Sequence, residues 1–258
     1  MRWSILLIFI LLICLPLAGE INISSGTVSS KQPAVPPKIK LTEEEKKLLL
    51  QLQSEDFILR RNAIVLLGEK KVLAAAPELQ KCLTDKNPEI QRHCLAALSQ
   101  IGDQTVIPAI IKKLTDKNLG VLLEAIRSLG VLRAEKAVAD LEKLLTDGRQ
   151  IVRAQTVIAL ANINISSVYP KLIELLTDKG EEVKIQSAKA AGKLKLKNAL
   201  PGLEKNLSDP NAGVRLSAVE AIIELKAGRK VSDKLKELAI QDPDSEVRKA
   251  CQKALQGK

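Results

Sequence analysis

From residue 41 onward, apolar and polar positions recur every 31 residues, with one step of 33 near Gly228. One apolar column holds Leu52, Leu83, Leu114, Leu145, Leu176, Leu207 and Ile240. A second holds Leu59, Ile90, Val121, Val152, Val183, Val214 and Val247. Four residues after each member of the second column stands a small residue: Ala63, Cys94, Ala125, Thr156, Ser187, Ala218 and Cys251. Two largely polar columns run beside these. One reads Ser54, Asp85, Asp116, Asp147, Asp178, Asp209, Asp242; the other reads Arg60, Gln91, Leu122, Arg153, Lys184, Arg215, Arg248. Agreement of these columns over seven copies marks an internal repeat.

Within each copy the spacing predicts two helices. Leu79 and Leu83 stand four apart on one face of the first. Pro77, Pro108, Pro170 and Pro201 open it, where a missing N–H costs nothing. A turn such as Asp85-Lys86-Asn87 follows. The second helix begins at a cap column of Asp56, Asn87, Asn118, Arg149, Gly180, Asn211 and Asp244, most of which can accept a bond from free helix N–H groups. The Val and small columns, four apart, face the same way. One helix pair cannot bury both of its faces, so neighbouring pairs must stack. The expected fold is all-α, an α-solenoid of about seven two-helix repeats over residues 41–258.

The first 40 residues do not share the period. Arg2 precedes an apolar run from Ile5 to Leu15, then Pro16, Leu17, Ala18, Gly19 and the polar Glu20. This is the layout of a secretory signal peptide over residues 1–19, and the run is shorter than the roughly 20 residues that span a membrane. A cleaved leader makes the protein exported, either periplasmic or secreted; a retained one would be a membrane anchor. Ile13 before Cys14 does not fit a lipid-anchor signal. Residues 20–40, rich in Ser, Pro and Lys, read as a flexible linker. Downstream, Cys82 and Cys94 lie on neighbouring helices at different heights, and with Cys251 they read as small apolar side chains rather than a bridge.

Composition narrows the picture. Aromatic residues make up 2% of the chain, so Leu, Ile, Val and Ala must fill the core, which favours stacked helices over a β-sandwich. The net charge is +10 and is uneven. No acid stands between Glu182 and Glu204, while Lys184, Lys189, Lys193, Lys195 and Lys197 do. This basic patch reads either as a solvated face or as a surface for an anionic partner. Three Asn-x-Ser sequons, at Asn22, Asn164 and Asn206, matter only in a glycosylating pathway.

The spacing Asp-x-x-x-x-Val-Arg-x-x-Ala-x-x-x-Leu-Gly, carried well by Asp147–Ala161, Asp178–Gly192 and Asp209–Ile223, resembles HEAT-like repeats of the short type named after phycobilisome lyases. Leu66-Leu67-Gly68 and Ser128-Leu129-Gly130 carry its tail. The resemblance implies a polar ladder between repeats. Its members here would be Asp85, Asp116, Asp147, Asp178, Asp209 and Asp242 with Arg60, Arg153, Lys184, Arg215 and Arg248. Gln91 and Leu122 depart from the pattern, so the ladder should be interrupted there.

Residues that carry chemistry are sparse. His93 is the single histidine; a metal there would need Cys94 or Glu89, and Cys94 sits in the core column. No Cys-x-x-Cys, His-Glu-x-x-His or Gly-x-Ser-x-Gly occurs. Deoxyhypusine hydroxylases of similar architecture bind iron through His-Glu pairs, and this chain has none. Bilin lyases of this repeat type offer no motif to match. Alkylpurine glycosylases of related fold need aromatic residues, and only Phe57 and Tyr169 follow the leader. The expectation is therefore a non-enzymatic scaffold without catalytic residues, metal or cofactor.

Its binding groove should lie on a concave face made by the second helices. The expected lining is Arg61, Asn62, Arg92, His93, Leu123, Glu124, Arg127, Gln155, Ile158, Ile185, Gln186, Lys189, Leu216, Glu220, Lys249 and Lys253. Leu123, Ile158, Ile185 and Leu216 should present an apolar patch to water in the middle repeats. Such a mixture suits a protein or peptide partner, with an acidic one compatible with the charge. Nucleic acid is disfavoured because bases would find no aromatic platform. Membrane contact is expected only through a retained leader, and the protein is expected to be a monomer.

Overall fold

The structure, a computed structural model, describes residues 41–256. The leader and linker expectations lie outside the described residues. Seven helix pairs follow one another: α1 (Glu43–Gln51) and α2 (Phe57–Glu69), α3 (Ala76–Lys81) and α4 (Pro88–Ile101), α5 (Ile107–Ile111) and α6 (Leu119–Val131), α7 (Val138–Leu144) and α8 (Gln150–Ile163), α9 (Tyr169–Glu174) and α10 (Glu181–Lys193), α11 (Leu200–Asn206) and α12 (Ala212–Glu224), α13 (Ser232–Gln241) and α14 (Ser245–Gln256). No strand occurs among the described residues. The fold is the all-α solenoid that the period predicts.

The local chemistry of each pair is visible in its turn. Asp56, Asn87, Asn118, Asn211 and Asp244 accept hydrogen bonds from N–H groups in the first turn of the second helix. Arg149 and Gly180 do not cap, and there the preceding Asp column supplies the acceptor. Asp85, Asp116, Asp147, Asp178, Asp209 and Asp242 each accept from the amide two residues on, at 2.7–2.9 Å. This column therefore shapes the turn within its own repeat as well as facing the next one. Proline lies in the first turn of α3, α5, α9 and α11. These first helices are short, flanked by 3-10 turns such as Leu73–Ala75 and Cys82–Thr84.

Five of the second helices, together with the terminal turn of α4, close on a residue with positive φ: Lys71, Gly102, Arg133, Asn164, Lys195 and Lys226. These too are spaced by 31 residues, a column the sequence reading passed over. In the left-handed region an L side chain crowds its own carbonyl, so Gly102 and Asn164 suit the site. The lysines and arginine there instead place a cation at the negative end of the helix dipole.

The core is continuous through the stack. The small column is fully buried in every repeat, from Ala63 to Cys251. The Val column is fully buried from Ile90 onward, while Leu59 is 43% exposed because no repeat precedes it among the described residues. Leu122, apolar in an otherwise polar column, joins the core at 2% exposure. Second helices pack directly on successive second helices, whereas first helices meet mainly through their flanking turns. A stack that is closer on one side curves toward that side, which makes the second-helix layer the inner face.

Candidate functional site

The inner layer is built by close helix approach. A methyl group added at Gly68 would lie 2.8 Å from Ala97 Cα; at Gly130, 2.7 Å from Ala159 Cα; at Gly192, 3.1 Å from Ala221 Cα. Glycine is therefore required at these crossings, where each glycine faces an alanine of the next second helix. In the pair between them, Ser128 Oγ donates to Leu95 O at 3.1 Å. Sequence reasoning missed these two small columns, although the Gly tail of the repeat pattern was their signal.

No residue of the expected groove is fully buried. Asn62, Arg92, Arg127, Lys189, Glu220, Lys249 and Lys253 are exposed; Arg61, His93, Glu124, Gln155 and Gln186 are half-buried. Leu123, Ile158, Ile185 and Leu216 are also half-buried, so they do not present the water-facing patch expected of them. Leu123 and Leu216 rest against the core. The reason is the close spacing just described: a side chain on this face lies in the trough between two helices instead of standing clear of it. The most exposed large apolar residues, Leu50 and Ile240, lie on first helices near the two ends of the stack.

The basic patch does not hold together as one surface. Lys184 is withdrawn into an ion pair with Asp209. Lys189, Lys193 and Lys195 line a cleft of about 610 Å³ and are joined there by Lys253, Glu220, Glu224, Ser217 and Ile223. Lys197 lines a different cleft of about 330 Å³ with Lys226 and Lys230. Adjacency in sequence failed because α10 ends at Lys193 and the chain then turns at Lys195, so later lysines leave the inner face. A third cleft of about 310 Å³, lined by Arg133, Asn162, Asn164 and Lys193, adjoins the first through Lys193.

The ladder is complete only in the later repeats. Arg153 forms a bidentate pair with Asp178 at 2.9 and 2.7 Å, and Arg215 does the same with Asp242 at 2.7 and 2.8 Å. Lys184 and Asp209 make the rung between them. Arg215 Nη1 also donates to Asp209 O at 2.8 Å and Arg153 Nη1 to Asp147 O at 2.8 Å, so each arginine clasps its own turn while reaching the next. Arg60 and Arg248 clasp their own turns through Ser54 O and Asp242 O, and neither pairs with an Asp-column carboxylate. Asp85 is thus left without the Arg60 rung expected of it. At Gln91 the interruption is bridged: Lys113 Nζ donates to Gln91 Oε1 at 2.8 Å and to Asp116 at 3.1 Å. At Leu122 it is not, and Asp147 turns to Arg149. Those bonds hold the Asp147 carboxyl at about 2. The Arg215 guanidinium holds Asp242 below the usual carboxylate range.

His93 Nε2 lies 3.6 Å from Glu89 Oε1, and Glu89 also accepts from Arg92 at 2.8 Å. Cys94 is buried, and its thiol is hydrogen-bonded to Cys82. The two cysteines therefore meet, contrary to the expectation that their heights differ; the shortness of α3 brings Cys82 level with the second turn of α4. Burial pushes the Cys94 thiol up, and the bond from Cys94 lowers Cys82. Among the described residues no three His, Cys, Asp or Glu side chains gather as a metal-binding set.

A family model of HEAT repeats matches residues 45–112, 95–161, 143–223 and 169–256. No curated protein sequence matches the chain. Among solved structures, the complex of CpcE and CpcF of phycocyanin lyase from Nostoc sp. is similar at a TM-score of 0.55 and 21% identity, covering 87% of this chain and 98% of that one. The archaeal HEAT-like repeats protein from Thermococcus onnurineus is similar at a TM-score of 0.58 and 16% identity, over 84% and 97% of the two chains. A designed armadillo repeat protein in complex with the peptide (KR)4 is similar at 0.50 and 24% identity, over 71% and 100%. These likenesses concern the fold. Together with the stacked pairs and their turn chemistry, the matched residues establish that this chain belongs to the HEAT-repeat family.

Proposed function

We propose that the protein is an exported, non-enzymatic scaffold that binds another protein or a peptide along the inner face of its second helices. The observation that carries this reading is the row of Leu123, Ile158, Ile185 and Leu216. They come from four consecutive second helices and are half-buried side by side, with exposed Arg92, Arg127, Lys189 and Lys253 at the margins. An apolar centre with a charged rim is the anatomy of a protein interface. A designed armadillo repeat protein of similar fold is known in complex with a peptide, which supports the same use of a repeat face. The apolar leader and small-residue end support export. A solitary histidine with one acidic neighbour supports a role without catalysis or cofactor.

A photo-crosslinking residue placed at Ile158 in the full chain, expressed in its native cell, tests this. A discrete protein adduct is expected at Ile158 and none at Gln80 on α3. Adding Ile185→Glu should abolish the adduct while helical content is unchanged. Equal adducts at both positions would overturn the assignment of the face.

A further inference from the structure

The 610 Å³ cleft between α10, α12 and α14 has an uneven charge balance. Lys195 is tied to Glu224, and Lys193 donates to Asn162 Oδ1 at 2.7 Å. Lys189 and Lys253 form no ion pair among the described residues, although both line the cleft. Between them stands Glu220, also without a cation. The floor is apolar, made by Gly192, Ala221 and Ile223, so the cleft offers cationic tips above a dry base.

Ile158, Lys189, Glu220 and Lys253 occupy one position in four consecutive repeats, with steps of 31, 31 and 33. They form a single row that passes from apolar to charged. We propose that this row binds an extended segment of a partner protein, with apolar residues over Ile158 and Ile185 and acidic residues in the Lys189–Lys253 cleft. The proposal rests on the inner-face reading and names the chemistry of its partner. Successive helices lie about 8–10 Å apart and a strand advances about 3.3 Å per residue. One repeat therefore matches about three partner residues, and the apolar and acidic parts must lie within a short stretch.

Charge selects this occupant over the alternatives at hand. A second copy of the chain carries +10 and would be repelled. The linker, with Glu20 against Lys31, Lys38 and Lys40, is basic as well. A lipid surface is flat, and lysines recessed on the inner face do not reach it together. Glu220 repels a carboxylate placed midway, so the acidic residues should engage the two ends of the cleft.

Fluorescence anisotropy with the full chain tests the assignment, using a labelled peptide of leucines followed by glutamates and its glutamine counterpart. The glutamate peptide should bind roughly tenfold more tightly in low salt, the effect of two exposed charge pairs. Lys189→Gln with Lys253→Gln should erase that preference, and Glu220→Gln should increase it. Equal binding of the two peptides, or a preference that survives the lysine changes, would overturn the cleft assignment. Ile158→Glu with Ile185→Glu keeps the two readings apart: loss of both peptides upholds the inner face whatever the lysines do. Peptide binding indifferent to both sets of changes overturns the face and the cleft together. Tighter, lysine-dependent binding to phosphatidylserine vesicles than to the glutamate peptide overturns the proposal in favour of a lipid surface.

Discussion

The repeats before Asp147 and those after it are stacked by the same apolar columns but joined by different polar chemistry. From Arg153 onward every junction carries a charge pair: Arg153–Asp178, Lys184–Asp209 and Arg215–Asp242. Earlier, Arg60 closes only its own turn, Gln91 shares Lys113 with Asp116, and Leu122 contributes an apolar contact. Burial of the small and Val columns is nevertheless as complete around Ala125 as around Ala218. Stacking therefore does not depend on the ladder. An ion pair drawn into the protein gives back much of its attraction as desolvation, whereas apolar burial has no such offset. What the ladder adds is geometry: a bidentate arginine fixes one carboxylate of the next repeat at one place.

The largest expected effect leaves that contrast intact. Ala218→Asp puts an unpaired carboxylate into a site with no exposure and should cost several kcal/mol, about 4 or more. Thermal unfolding followed by circular dichroism checks it; an unchanged midpoint would show that the small column is not a helix contact.

Removing one arginine from each region sharpens the comparison. Arg215→Ala strands Asp242, whose side chain is 1% exposed, and should cost about 3 kcal/mol in urea unfolding. Arg60→Ala removes bonds to carbonyls only and should cost about 1 kcal/mol. Acid provides a second reading of the same difference. Asp147 and Asp242 have carboxyls held below the unfolded value, so the unfolded chain takes up their protons first as pH falls. Their stabilisation is complete above about pH 5 and is lost between about pH 4 and pH 2. Amide exchange in α12 and α14 should accelerate across that window, and Asp242→Asn should remove part of the dependence.

Gly130→Ala should cost about 1–3 kcal/mol, because the new methyl meets the Ala159 backbone at 2.7 Å, while Gly192→Ala, at 3.1 Å, should cost less. The reverse order in paired melting curves would contradict the close-approach account of the inner layer. Lys113→Met, which removes the substitute rung, should cost about 1 kcal/mol or less. Smallest of all, His93→Ala should stay within about 0.5 kcal/mol, since its single polar neighbour is 3.6 Å away. A larger loss, or a metal lost with it, would reopen the question of chemistry at that site.

Period and residue size carried the fold into view before any coordinates. A 31-residue repeat with a small residue four after a Val states which helix faces must be buried, because the helix period fixes direction. The polar columns were equally legible, and so was the break at Leu122, where an apolar side chain cannot form a rung. Three matters depended on how the helices pack. Lys113 comes from outside the repeat register of the ladder, so no column pointed to its bridge between Gln91 and Asp116. The lysines from Lys184 to Lys197 looked like one patch along the chain, yet the positive φ at Lys195 sends them to separate surfaces. The four apolar groove residues were placed on the correct helix but not at the correct depth. Depth is set by the distance between neighbouring helices, and that distance is fixed by contacts such as Gly130 against Ala159, which lie 29 residues apart in the chain and meet only in the stack.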